Sequence, residues 1–227
     1  MGPRAAVFDL DGTLVDTSGD LIGAANACFR AMGAAAVLDP QADAATAFAG
    51  GRAMLRLGLE RLGRMDEGEV DRWYPRLLGY YEAEIDRHSR LYPGAMAAVA
   101  ALAGAGWRVG ICTNKPAPLA ELLLARLGVR GAFAALVGAD TLPVRKPDPA
   151  PYVECVHRLG GLPARSFLVG DTVTDRDTAR AAGVPVVLVS FGPEGRGVER
   201  LAPDALLESY DALAALAERL VPDAPGS

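Results

Sequence analysis

The stretch that decides the fold is Ala5-Ala6-Val7-Phe8-Asp9-Leu10-Asp11-Gly12-Thr13-Leu14-Val15-Asp16. Four apolar residues run unbroken into an acidic, glycine-bearing turn, the pattern of a strand buried on both faces of a parallel sheet. Ligands of such sheets gather beyond the carboxyl ends of the strands. The residues just after Phe8 are therefore the first candidates for chemistry. Asp9 and Asp11 stand two apart and share a face while the chain stays extended, and Gly12 permits a sharp turn directly after them.

Downstream of Asp16 the pattern turns helical and stays so to His88. Leu21, Ala24, Ala25 and Cys28 recur at helical spacing, as do Leu55, Leu59 and Leu62, and a third helix is predicted from Glu67 through Trp73, Leu77, Tyr81 and Ile85. Trp73, Tyr80 and Tyr81 are expected to pack the core of this helical segment or its inner face. From Tyr92 onward helices and strands alternate. Strands are predicted at Arg108–Cys112, Ala135–Val137, Ser166–Val169 and Val186–Val189, with helices over Ala95–Ala105, near Leu119–Leu127, over Ala150–Leu159, from Asp175 and over Asp211–Leu220. A Pro/Gly tail follows and is expected to fray.

Strand–helix alternation predicts an α/β architecture, a Rossmann-like parallel sheet with helices on both faces. The helical stretch reads as an insertion: residues 1–16 and 88–227 form the core, and residues 17–87 a helical cap domain inserted after the first strand. Gly104-Ala105-Gly106 lies between a helix and the next strand, the reverse of a dinucleotide fingerprint, and reads as a helix-ending turn.

The strand ends supply the constellation. Strand one delivers Asp9 and Asp11, strand two Thr113 and Asn114, and the strand at Ser166–Val169 leads to Gly170-Asp171, with Asp175 near the next helix start. Lys146 lies in the loop before the preceding helix. A carboxylate nucleophile splits a displacement at phosphorus into two easier steps. Gathering Asp9, Asp11, Asp171 and Asp175 is costly through like-charge repulsion, which a hard dication with oxygen ligands offsets. Mg²⁺ suits a few carboxylates together with a phosphate oxygen, while Lys146, Thr113 and Asn114 hold the phosphoryl group. His88 and His157, without partners at ligand spacing, read as structural. Asp16 and Asp177 read as capping or surface acids, and Arg145 as a surface residue.

Phe8-Asp9-Leu10-Asp11-Gly12-Thr13 resembles the first signature of the haloacid dehalogenase-like superfamily. Thr113-Asn114, Lys146-Pro147 and Gly170-Asp171 through Asp175 are similar to its other three, in order, so the resemblance covers essentially the whole chain. It implies that Asp9 is the nucleophile, Asp11 the general acid and then base, and Lys146 the stabiliser of charge. It also implies substrate binding by Thr113, Asn114 and Lys146, and Mg²⁺ held by Asp9, the Asp11 carbonyl and Asp171, with Asp175 beside them. Thr113-Asn114-Lys115-Pro116, Leu142 through Pro149 and Val189-Ser190-Phe191-Gly192 resemble bacterial phosphoglycolate phosphatases. The expected reaction is then 2-phosphoglycolate to glycolate and phosphate, with Arg52 of Gly50-Gly51-Arg52 a candidate for a substrate carboxylate.

Other readings separate on particular residues. Dehalogenases of the superfamily lack the second aspartate that Asp11 supplies. A phosphonatase needs a cap lysine, and no lysine precedes Lys115. Sugar-phosphate or nucleotide phosphatases and β-phosphoglucomutase-like mutases share the core motifs and stay open. A receiver domain would be about half this length, without the helical insertion, and a non-catalytic binding module would not need the complete set of catalytic residues. Among 227 residues, 51% are apolar and the net charge is −5, with both signs interspersed. That argues for a sizeable core and against nucleic acid or an anionic membrane as partner. Cys28, Cys112 and Cys155 have neither disulfide-framework nor zinc spacing. With no signal-like apolar segment before the first charges and no run near the ~20 residues that span a bilayer, a soluble cytoplasmic protein is expected. Oligomeric state is not legible.

Overall fold

The computed structural model describes residues 2–223. The tail beyond 223, expected to fray, lies outside the described residues. The chain divides into two compact units, Asp16–Arg90 and Met1–Val15 with Leu91–Ser227.

The larger unit is built on a parallel sheet. Its strands are β1 (Ala5–Phe8), β4 (Arg108–Cys112), β5 (Ala135–Val137), β6 (Ser166–Gly170), β7 (Val186–Val189) and β8 (Ala205–Leu207), in the spatial order β5-β4-β1-β6-β7-β8. β1 is central, pairing with β4 on one side and β6 on the other, and Phe8 lies level with both Ile111 and Val169. That register releases the chain after Phe8, Cys112 and Gly170 at one height, where the strand order reverses direction and ligand crevices form.

Four of the five strands read from the sequence after Phe8 or before it have the residues expected, and β6 runs one residue further, to Gly170. The sixth, β8, is an addition. Its Ala205-Leu206-Leu207 is too short to carry a period and is recruited by the exposed edge of β7. Also unread were two short strands, β2 (Val15–Asp16) and β3 (Arg90–Leu91), which pair as a two-stranded sheet.

Helices cover both faces. Ala5 and Val7 point into a core with Tyr152, Cys155 and Val156 of α7 (Ala150–Arg158) and Ala179 of α8 (Val173–Ala182). On the opposite face Trp107 stands edge-on to Phe167 at 5.3 Å, and its indole N–H donates to Glu218 on α9 (Leu213–Leu220). α9 packs against α5 (Ala95–Gly104), which covers β4. α6 (Ala117–Arg126) follows β4 and packs on β5. Gly104-Ala105-Gly106 is the helix end the sequence predicts, with Gly106 at φ +84°.

The smaller unit holds α1 (Ser18–Ala31), α2 (Ala44–Phe48), α3 (Gly51–Arg61) and α4 (Glu67–Ala83), and α1, α3 and α4 pack against one another. The buried stripe of α4 is Val70, Trp73, Leu77 and Tyr81. Trp73 and Tyr81 are thus core residues, whereas Tyr80 is 39% exposed, because the stripe follows positions 73, 77 and 81 and leaves residue 80 off it. Buried Asp20 ties the two ends of the unit, accepting from the backbone N–H groups of His88 and Ser89 and from the Ser89 hydroxyl. Asp16 is a surface acid that accepts from the N–H and hydroxyl of Ser18 at the start of α1. Among the described residues no helix is long and apolar enough to cross a membrane.

Candidate active site

Asp9 follows β1, and its backbone N–H continues the ladder by donating to the Val169 carbonyl at 2.8 Å. The chain then closes a tight turn in which the Leu14 and Val15 N–H groups donate to the Leu10 carbonyl and Gly12 sits at φ +80°. A side chain at position 12 would be strained in that left-handed region. The Asp9 carboxylate is fixed through one oxygen. Its Oδ1 accepts from the Leu10 N–H at 2.7 Å and lies 3.1 Å from Lys146 Nζ.

Lys146 is buried, its side chain 1% exposed. It also donates to Asp175 Oδ1 at 2.6 Å. Burial alone would lower its pKa, but Asp175 and Asp9 outweigh that and push it up, so the ammonium stays charged. The other Asp175 oxygen, Oδ2, accepts from the N–H groups of Asp171 and Thr172 and from the Thr172 hydroxyl. This is the reciprocal cap of α8's first turn. Gly170 is required for it, since a Cβ there would come within 2.3 Å of Asp175 Cγ.

Asp171 is buried and accepts from the Thr13 hydroxyl through Oδ1 at 3.0 Å, while its buried Oδ2 has no hydrogen-bond partner. Carboxylate oxygens of Asp9, Asp171 and Asp175 lie within 4.8 Å of one another. Burial pushes Asp9 up to about 6, with Asp175 and Asp11 adding to the rise and Lys146 opposing it. Burial raises Asp171 well above the usual carboxylate range, and Asp175 and Asp9 raise it further. Ionised together, three carboxylates (Asp171 and Asp175 buried, Asp9 half-buried) would carry an excess of two negative charges against one ammonium, and an orphaned carboxylate oxygen is costly. An all-oxygen donor set with that excess and that orphan fits a hard divalent cation.

Asp11 reaches the site differently. Its two oxygens accept from Lys115 Nζ at 2.8 and 2.9 Å, and the Lys115 side chain is 4% exposed. The sequence places Lys115 with Thr113 and Asn114 after strand two but assigns a role only to the first two. The signal available was its place directly after them, in a chain with only one other lysine. Thr113 is buried, and its hydroxyl oxygen accepts from the Lys115 N–H, leaving the hydroxyl hydrogen to give. Asn114 is exposed and its amide donates to the Lys146 carbonyl at 2.9 Å, bracing the loop that carries the lysine.

All of the core candidates therefore converge on the carboxyl ends of β1, β4 and β6. Arg52 belongs to the smaller unit, where it pairs with Asp71 and stacks on Tyr74 at 4.6 Å. His157 and Arg145 are exposed. Cys112, buried beside the cluster, is pushed up to about 12 by burial and stays a thiol.

Residues 3–183 match the model of haloacid dehalogenase-like hydrolases. A phosphoglycolate phosphatase of Mesorhizobium japonicum is 42% identical over 217 residues, covering 95% of each chain. One from Rhodospirillum rubrum is 38% identical, covering 93% of this chain and 89% of its own. Among solved structures, a protein from Haemophilus somnus shares the fold with a TM-score of 0.81 at 24% identity, covering 94% of this chain and 97% of its own. A hydrolase from Pseudomonas syringae does so with 0.75 at 22%, covering 95% and 98%.

Proposed function

The chain belongs to the haloacid dehalogenase-like hydrolase family, and from that premise we propose that it hydrolyses 2-phosphoglycolate to glycolate and phosphate through a phospho-aspartate on Asp9. The substrate follows the names of relatives about as long as this chain. The observation that carries the chemistry is Asp9 held at the end of the central strand, its Oδ1 fixed by Lys146 and the Leu10 N–H, beside the unpartnered Asp171 oxygen.

In the first half-reaction an Asp9 oxygen forms a bond to phosphorus as the bond from phosphorus to the glycolate oxygen breaks. Asp11 gives that oxygen a proton. In the second, Asp11 takes a proton from water, which attacks phosphorus and releases Asp9. Lys115 aims Asp11 by holding both of its oxygens. Lys146 offsets charge on the phosphoryl group, and the Thr113 hydroxyl and Asn114 bind its oxygens. Asp9, Asp171 and the Asp11 carbonyl would hold Mg²⁺, which supplies neutralisation of the phosphoryl charge. Asp175 contributes from behind, since one of its oxygens is given to Lys146 and the other to the cap of α8. Residues 17–87 serve as the family's cap, the part that selects the alcohol half of the ester. Cys28, Cys112 and Cys155 are all free and buried, which supports a cytoplasmic setting.

The test is turnover of p-nitrophenyl phosphate with Mg²⁺ by wild type and Asp9→Asn, followed by a panel of small phosphate esters ranked by kcat/KM. Undiminished turnover in Asp9→Asn rejects the nucleophile. A sugar phosphate or nucleotide preferred over 2-phosphoglycolate rejects the substrate and leaves the chemistry standing.

A further inference from the structure

Tyr210 lies 197 residues from Thr13 in the chain, yet its buried hydroxyl donates to the Thr13 carbonyl at 2.8 Å. Tyr210 is 1% exposed and follows β8 in a short turn of helix. Its ring is tilted against Phe191 at 5.2 Å, and Phe191 in turn meets Tyr92 at 5.1 Å. The next residue, Gly192, sits so close to the turn after Asp11 that a Cβ there would lie 3.0 Å from the Gly12 carbonyl oxygen and 3.6 Å from Asp171 Cβ. The aromatic group and the glycine after it thus buttress the loop that carries Asp11, Gly12 and Thr13.

The connection continues to the cation site. The hydroxyl of Thr13, itself fully buried, donates to Asp171 Oδ1 at 3.0 Å. That bond fixes the rotation of the Asp171 carboxylate and leaves Oδ2 as its unpartnered oxygen. A turn carbonyl outside the strand ladder needs a donor when buried, and a buried phenol needs an acceptor. Each meets the other's requirement here, and the outcome is a set position for the Thr13 backbone and hence for its hydroxyl.

We propose that Tyr210 is a positioning residue for the divalent-cation site, acting through Thr13 on the free oxygen of Asp171. The inference rests on the reading of Asp171 as a cation ligand. Partners that orient a ligand typically govern ~10–100-fold in metal affinity. Tyr210→Phe removes one oxygen atom and keeps the ring, so it should weaken Mg²⁺ binding by about tenfold while kcat recovers at saturating Mg²⁺.

The experiment titrates MgCl₂ alone into the full-length, EDTA-stripped protein, read by calorimetry and by the Mg²⁺-dependent rise in Tm. The variants are Tyr210→Phe, Thr13→Val, Thr13→Ser, the Tyr210→Phe/Thr13→Val double and Asp171→Asn. Weaker binding in Tyr210→Phe and Thr13→Val, with no further loss in the double, supports the route through Thr13. Near-wild-type binding in Thr13→Ser, which keeps a hydroxyl, supports it as well. A Tyr210→Phe protein with a lower Tm and unchanged Mg²⁺ affinity overturns the proposal, as does a double variant whose losses multiply. If Tyr210→Phe does not fold, equal binding by Thr13→Val and Thr13→Ser overturns the proposal by itself. Wild type that binds no Mg²⁺, or Asp171→Asn that binds as well as wild type, overturns the ligand reading first and this inference with it.

Discussion

Replacing Lys146 by Met keeps the length of the side chain and removes the ammonium in contact with both Asp9 and Asp175. Nζ stands 3.1 Å from Asp9 and 2.6 Å from Asp175. At an effective dielectric constant of about 20, each attraction is worth roughly 5–6 kcal/mol before desolvation. The variant need not lose that much, because a stripped carboxylate can take up a proton. Protonating an aspartate of ordinary pKa near 3.9 costs about 4.2 kcal/mol at pH 7 and about 1.5 kcal/mol at pH 5. The loss is therefore expected at about 4 kcal/mol at pH 7, within the range for breaking a buried pair, and to be smaller at pH 5, where a proton replaces the ammonium at less cost. The sign follows from linkage. In the variant the native state holds a proton that the unfolded chain has released, so its stability falls as pH rises above the unfolded value. Urea unfolding of the metal-free protein, followed by Trp107 fluorescence in a Trp73→Phe background, measures both values. A loss below about 1 kcal/mol at pH 7, or the same loss at both pH values, would refute the argument from buried charge.

Asp11→Asn should lower kcat/KM by about 10²–10⁴-fold for an alkyl phosphate and much less for p-nitrophenyl phosphate, whose leaving group needs no proton; equal losses for both would contradict the acid–base role. With Asp9 pushed up to about 6 from 3.8, the metal-free native state binds more protons than the unfolded chain between those values. Its stability should fall by about 3 kcal/mol across that window as pH rises, Asp171 adding in the same direction. Mg²⁺ competes with the same proton, so through Asp9 its affinity should tighten about tenfold from pH 5 to 7; a flat affinity measured by calorimetry would speak against Asp9 as a ligand. In the helical unit a Cβ at Gly58 would fall 2.0 Å from Phe29 Cζ. Gly58→Ala should destabilise that unit by about 1–3 kcal/mol through overpacking, measured by Trp73 fluorescence on heating, and an unshifted transition would contradict the α1–α3 packing.

The strands were legible because each is a short apolar run buried on both faces, and a run of that kind is a local property. β1, β4, β5 and β7 have the residues their sequences predict, whereas β8, Ala205–Leu207, owes its existence to an unpaired edge supplied by β7. The acidic motifs were legible for a related reason. Asp9, Asp11 and Asp171 each follow an apolar strand, and in a parallel sheet all strand ends of that kind face one crevice.

What each side chain does within that crevice was decided by tertiary structure alone. Nothing local to Lys115 announces that it grips Asp11, 104 residues away. Nothing local to Asn114 says that its amide braces the Lys146 carbonyl, or local to Asp175, whose place near a helix start does suggest a cap, that its other oxygen goes to Lys146. Tyr210 likewise reads as one more core aromatic until the fold sets its hydroxyl on Thr13. The sequence by itself determined the class of chemistry, through which residue types follow which strands. The structure decided the pairings, because hydrogen bonds and ion pairs depend on ångström distances between segments that only the strand order and register bring together.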